Sequence, residues 1–169
     1  MKHFKTLLLI AVFTIGMGGV AQAQKTGHIA LDKLIANMPA TKTMQAELEK
    51  MQKTYKDDIT ALAKKLDDKM KKYQAEAKAQ TKATNEARAA EVNQERNRVL
   101  QAEQLATQEM QKKYNEKLNP IILRAKKAIE EVAAAKGIAY VFDATPGKGL
   151  LVFDKGIDLY DAVKAKLGF

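Results

Sequence analysis

Between Pro39 and Pro120 lie 80 consecutive residues without a single glycine or proline. The stretch is rich in Ala, Lys, Glu, Gln and Leu, the residues that lose least on entering a helix, and nothing inside it breaks one. Its apolar positions keep a helical rhythm. Met44, Leu48, Met51, Tyr55, Ile59, Leu62, Leu66, Met70, Tyr73 and Ala77 follow one another at steps of 4, 3, 4, 4, 3, 4, 4, 3 and 4. That is an 11-residue repeat, whose stripe runs straight or winds slightly right-handed, unlike a heptad coiled coil. A single stripe must face something. The return stripe is thinner: Val92, Val99, Ala106, Met110, Tyr114, Leu118 and Ile121 or Ile122, with Arg96 and Glu103 interrupting it. From Lys78 to Ala90 there is no large apolar residue.

Two foldings satisfy this pattern. One is an unbroken helix of about 117 Å at roughly 1.5 Å per residue; the other is a hairpin with arms of about 55 to 60 Å. The flanks favour the hairpin, with residues 42–119 as its arms and a tip near 78–90. Gly27 to Leu31 reads as a short strand, and Asp32 is placed to cap a brief helix through Asn37 that Met38-Pro39 ends. Past Pro120 the chain is expected to continue as helix from Ile121 to Lys136, closed by Gly137. Strands at Ile138–Asp143 and Leu150–Phe153 follow, separated by the Pro146-Gly147-Lys148-Gly149 turn cluster, and then a helix from Asp158 to Leu167. A sheet built near residues 28, 140 and 151 joins the two chain ends. The expected fold class is therefore α+β: a small β-containing body from residues 24–41 and 120–169, with a long helical hairpin inserted. Such a body is too small to be comfortable alone, so an oligomer is expected. Ile29, Leu31, Tyr140, Phe142, Leu151 and Phe153 are its candidate assembly residues.

The segment before the body reads as an address. Lys2, His3 and Lys5 precede the apolar run Leu7 to Phe13, and Ala21-Gln22-Ala23 follows. This is the pattern of a cleaved secretory signal over residues 1–23, and its apolar run is too short for a comfortable membrane span. No Cys follows, so a lipid anchor is not expected. The formal charge of +9 becomes +7 once Lys2 and Lys5 leave with the signal. A basic chain outside the cytoplasm does not meet chromosomal DNA. Acidic polypeptides, anionic lipid and lipopolysaccharide are the partners its charge allows.

Catalysis finds little to work with. The chain has no Cys and no Ser, so thiolate and serine chemistry are absent. His28 is the one histidine after the signal, within a strand, where packing is the ordinary role. Gly147-Lys148-Gly149 is too short for a phosphate loop. No enzyme activity, metal or cofactor is expected.

Residue order and local pattern together resemble the Skp/OmpH family of trimeric periplasmic chaperones of outer-membrane proteins. The resemblance rests on Ile29-Ala30-Leu31-Asp32, on Met38-Pro39-Ala40, on the long charged hairpin, on Gly137 to Asp143, on Leu150 to Phe153, and on Asp158-Leu159-Tyr160. The last of these departs from the family's Asp-Ile-Thr at two positions. The resemblance implies a jellyfish-shaped homotrimer whose tentacles enclose unfolded outer-membrane β-barrel chains without nucleotide hydrolysis. A holdase of that kind needs distributed, adaptable contacts, which methionine and tyrosine supply. Met44, Met51, Tyr55, Met70, Tyr73, Met110 and Tyr114 are the candidates for client contact, although some must seal the hairpin. Lys69, Lys71, Lys72, Lys78, Lys82 and Arg88 form a candidate basic tip for acidic clients or anionic surfaces; from Lys69 to Arg88 the net charge is +4. A structural or adaptor coiled coil of the envelope, and a lipopolysaccharide binder, are the alternatives.

Overall fold

The computed structural model describes residues 24–148, 150 and 156–169. The expected signal segment, and with it Leu151 and Phe153, lie outside the described residues. The elements in chain order are strand β1 (Lys25–Ile29), helix α1 (Leu31–Asn37), helix α2 (Pro39–Glu76), a 3-10 turn (Ala77–Ala79), helix α3 (Lys82–Ala135), strand β2 (Ile138–Asp143), strand β3 (Ile157–Asp158) and helix α4 (Tyr160–Leu167).

The long helices form a hairpin. Helix α2 has 38 residues, about 57 Å at 1.5 Å per residue. It begins at Pro39, where a missing N–H costs nothing because a first-turn donor has no helical partner anyway. The chain reverses over residues 77–81, at the leading edge of the expected tip, so residues 82–90 are already helix. Thr81 caps the return helix, its side-chain oxygen accepting from the Thr84 N–H at 3.2 Å. Helix α3 then runs for 54 residues straight through Pro120. Proline here was expected to bracket the hairpin. A helix-interior proline costs about 3 kcal/mol, but Ile121, Ala125, Ala128 and Val132 are buried just beyond it. At roughly 1.5–3 kcal/mol for a fully buried Val or Ile side chain, their burial outweighs the proline.

Strand order in the described sheet is β2-β1-β3, with both neighbours parallel to β1. β1 is central because it pairs Gly27 with Val141 on one side and with Ile157 on the other. The expected first strand reached Leu31; that residue instead opens α1. The expected cap, Asp32, is not the cap either. The first N–H groups of α1 are satisfied from across the sheet. Leu31 N–H donates to Asp143 Oδ1 at 3.3 Å, and Asp32 N–H donates to Thr145 Oγ1 at 3.2 Å. Burial is the largest influence on the Asp143 carboxyl and pushes it up. The donors from the Thr145 hydroxyl and N–H and the Leu31 N–H outweigh it and hold the group below its ordinary 3.8. Gly137, at φ +64°, closes α3 as expected, and Gly147, at φ +82°, takes the turn position that follows Pro146 in a type II turn closed by Lys148 N–H to Thr145 O.

The last helix starts later than expected, because Ile157–Asp158 is strand. Asp158 Oδ1 accepts from the Tyr160 N–H at 2.8 Å and so opens α4. The Tyr160 hydroxyl accepts from Asn37 Nδ2 at 3.1 Å, and Lys33 Nζ lies 4.7 Å from its ring centre. The tyrosine that departs from the family pattern thus ties α4 to α1.

The core lies where all these elements meet. Leu34, Leu159 and Val163 are its most deeply buried large side chains, with Ile29, Met38, Met44, Leu48, Ile121, Ala125, Val132 and Ile138 around them. Replacing the fully buried Leu34 by Ala should cost about 2–5 kcal/mol. Leu123→Ala, at a site 66% exposed, should cost under about 0.5 kcal/mol. Urea midpoints for the two variants check this; equal losses would place the core elsewhere.

Candidate functional site

The arms carry the residues singled out for binding, and their burial fades with distance from the body. From residue 49 to residue 105 no residue is fully buried. The stripe of α2 faces α3, buried at Met44 and Leu48, half-buried at Met51, Tyr55, Ile59, Leu66 and Tyr73, and looser still at Leu62 and Met70. The less exposed positions of α3 repeat the same rhythm. Arg88, Glu91, Glu95, Val99, Ala102, Ala106, Met110, Lys113, Lys117 and Ile121 follow at steps of 3, 4, 4, 3, 4, 4, 3, 4 and 4. Arg96 and Glu103, read as interruptions, are exposed. The charges inside the seam are others.

Those charges bind the arms together. Lys69 Nζ lies 2.6 Å from Glu91 Oε1 and 3.4 Å from Glu95 Oε1. The Tyr73 hydroxyl donates to Glu91 Oε2 at 2.6 Å. Arg88 Nη2 donates to Glu76 Oε2 at 2.6 Å, and its guanidinium carbon sits 4.5 Å from the Tyr73 ring centre. Asn85 Nδ2 donates to Ala77 O at 3.0 Å. Nearer the body, Lys117 pairs with Glu47. The hydrogen bond from Lys69, and after it that from Tyr73, holds the Glu91 carboxyl below its ordinary 4.5. Its partner Tyr73 is pushed above its ordinary 10.0, first by that hydrogen bond and then by burial, since ionisation would set two anions together.

The candidate residues therefore divide. Met44, 5% exposed, belongs to the core and is not available to a client. Tyr73, Lys69 and Arg88 are engaged across the seam. Lys71 pairs with Asp67 and Lys82 with Glu86, each one turn away on its own helix. Lys72 and Lys78 are exposed, and no ion pair within the described residues involves them. Tyr55, Met110 and Tyr114 come together in an open groove of about 960 Å³ between the inner arms, lined also by Ile59, Ala106 and the rim cations Lys53 and Lys56. Met51 packs between this groove and the core, and Met70 is 38% exposed farther out. Sequence reasoning missed Ile59 and the cross-arm carboxylates. The helical spacing of Arg88, Glu91 and Glu95 with Val99 and Ala106 would have found the latter had charge been allowed inside a seam.

In the body, Ile29 packs inside the chain's own core and Leu31 is half-buried, whereas Tyr140 and Phe142 stand 58% and 49% exposed on β2. Among the described strands β2 pairs only with β1. Beside it lies an apolar groove of about 460 Å³ lined by Leu31, Ile129, Ala133, Val141 and Phe142. His28 is buried in the central strand. Among the described residues no group of three or more His, Cys, Asp and Glu is placed to hold a metal ion, and no helix is long and apolar enough to cross a membrane.

This architecture, a small parallel sheet carrying a long two-helix arm, is that of OmpH-like outer membrane proteins. The family matches residues 25–167, and the chain belongs to it. Its fold is shared with a Caulobacter crescentus CB15 protein named as an OmpH-like outer membrane chaperone candidate. The TM-score is 0.76 at 17% sequence identity, over 85% of this chain and 83% of that one. Among proteins of curated function, none matches the chain in sequence.

Absorbance titration tests the seam. Tyr73 should ionise above the ordinary tyrosine value of 10.0, and Tyr73→Phe should remove that late component. Loss of an ordinary early component instead would contradict the Tyr73–Glu91 contact.

Proposed function

We propose that this protein is an ATP-independent periplasmic holdase, delivered by its signal segment, that shields unfolded outer-membrane β-barrel chains with its arms. The observation that carries the reading is the open groove lined by Tyr55, Ile59, Met110 and Tyr114 on an arm without a fully buried residue from 49 to 105. Unfolded barrel strands alternate apolar and polar residues, with no closed barrel to satisfy their edges. Such a client needs many weak, re-packable contacts, and methionine and tyrosine provide them without a shaped pocket. Membership of the OmpH-like family supports the chaperone role.

Assembly completes the proposal. A homotrimer formed at the body would set three arms around a shared cavity and multiply weak contacts through local concentration. The exposure of Tyr140 and Phe142 on β2, with an apolar groove beside them, supports the body as the place where copies meet. At the arm ends Lys72 and Lys78 are the cations best able to meet acidic client segments, lipopolysaccharide or anionic lipid, since the other lysines there already hold carboxylates.

Diluting a urea-unfolded outer-membrane protein into this protein should suppress its aggregation and yield a complex of fixed mass. No suppression at equimolar trimer would reject the reading. Tyr55→Ala with Met110→Ala should weaken client binding by about tenfold, equivalent to about 1.4 kcal/mol, with helix content unchanged. Lys72→Gln with Lys78→Gln should slow stopped-flow capture at low salt and flatten its salt dependence, more than Lys69→Gln does. A larger effect from Lys69 would contradict the assignment.

A further inference from the structure

The two halves of the arm are closed by different forces. Near the body the seam is mainly apolar, with Met44, Leu48 and Ile121 buried beside the more exposed Lys117–Glu47 pair. Farther out it is ionic, where Lys69 and Arg88 from opposite arms are held by Glu91, Glu95 and Glu76. Apolar cover there is thin: Met70 is exposed, and Leu66, Val92 and Val99 are only half-buried. We propose that this cluster is a charge latch that holds the arm ends together near neutral pH and releases them in acid, while the root of the hairpin stays shut.

The geometry gives the latch its direction. Lys69, Arg88 and Arg98, which touches Glu95 at 3.2 Å, balance the three carboxylates one for one. The Tyr73 hydroxyl also faces Glu91. Protonating the carboxylates leaves Lys69 on one arm and Arg88 and Arg98 on the other without their counter-charges, with Lys71, Lys72, Lys78 and Lys82 close in sequence adding like charge. At the root acid removes only the more exposed Lys117–Glu47 pair, while the buried Met44, Leu48 and Ile121 carry nothing that titrates. Glu91 contributes its full stabilisation above the ordinary carboxyl value of 4.5, because its folded-state value is lowered. That contribution is lost as pH falls below this value. The latch is a property of the arm and does not depend on what the arm binds.

The chain has no cysteine, so paired nitroxide labels can be placed at will. One pair, Gln74→Cys with Asn93→Cys, spans the outer arms at exposed positions; the other, Lys50→Cys with Lys112→Cys, spans the root. Labelled full-length chain is diluted with unlabelled chain, and distances are measured by double electron–electron resonance at about pH 7 and about pH 3. The outer distribution should broaden and shift to longer distance in acid while the root distribution stays narrow. Glu91→Gln should reproduce part of that shift at about pH 7. Glu86→Gln, which removes only an exposed carboxylate paired along its own helix, should not. An outer distance unchanged by acid, a root that opens together with the ends, or equal behaviour of the two Gln variants would each overturn the latch.

Discussion

Two helices lying side by side have one contact line and no interior, and every other feature of this protein follows from that constraint. Apart from the small Ala106, full burial begins only where the arms reach the body. There Ala125, Ala128 and Ala133 of α3 are small enough to let the sheet and α4 approach closely, and Leu34, Leu159 and Val163 fill the space between. They come from two segments far apart in the sequence, Leu34 from α1 and Leu159 and Val163 from the start of α4. The body therefore depends on the hairpin bringing α1 and α4 back beside each other, and the hairpin depends on the body for its only dry anchor. The caps of α1 follow the same logic, since Asp143 and Thr145 reach residues more than 110 positions earlier.

How much of this was legible in the sequence depended on whether the information was local. β2 ran from Ile138 to Asp143 as read, because its alternation is flanked by Gly137 and a turn cluster. The first arm was legible because its seam is filled by large apolar residues. The second arm was not, because Arg88, Glu91, Glu95, Lys113 and Lys117 occupy its seam, and periodicity counted only in apolar residues cannot register them. Pro120 bounded the expected hairpin without ending the helix, because its cost is offset by burial of residues that follow it, a tertiary effect with no local sign. Asp32 looked like a cap, whereas the caps in use come from another strand. The binding groove was half legible: Tyr55, Met110 and Tyr114 were singled out by residue type, but which of the methionines would be buried depended on distance from the body. Met44 is inside and Met70 is not.

A seam that shifts from apolar packing to ion pairs also suits the proposed task. An arm closed by hydrophobic packing along its whole length would be rigid and dry, with little left for a client. An arm closed only by charge would leave no apolar surface to shield one. Here the inner arms keep an aromatic and methionine groove open, and the outer arms are joined by partners that water, salt or an acidic segment can displace. The thin cover along both arms makes them the low-stability part of the molecule, so their opening need not disturb the body.

Hydrogen exchange along the chain, with and without an unfolded outer-membrane protein, tests this account most directly. The free protein should show strongest protection in α1, in α3 beyond Pro120 and in α4, declining along both arms toward residues 77–81. Client should add protection in the arms, foremost around residues 49–60 and 103–114, and leave the body unchanged. Client-induced protection confined to the body, or arms as protected as the core in the free protein, would contradict it.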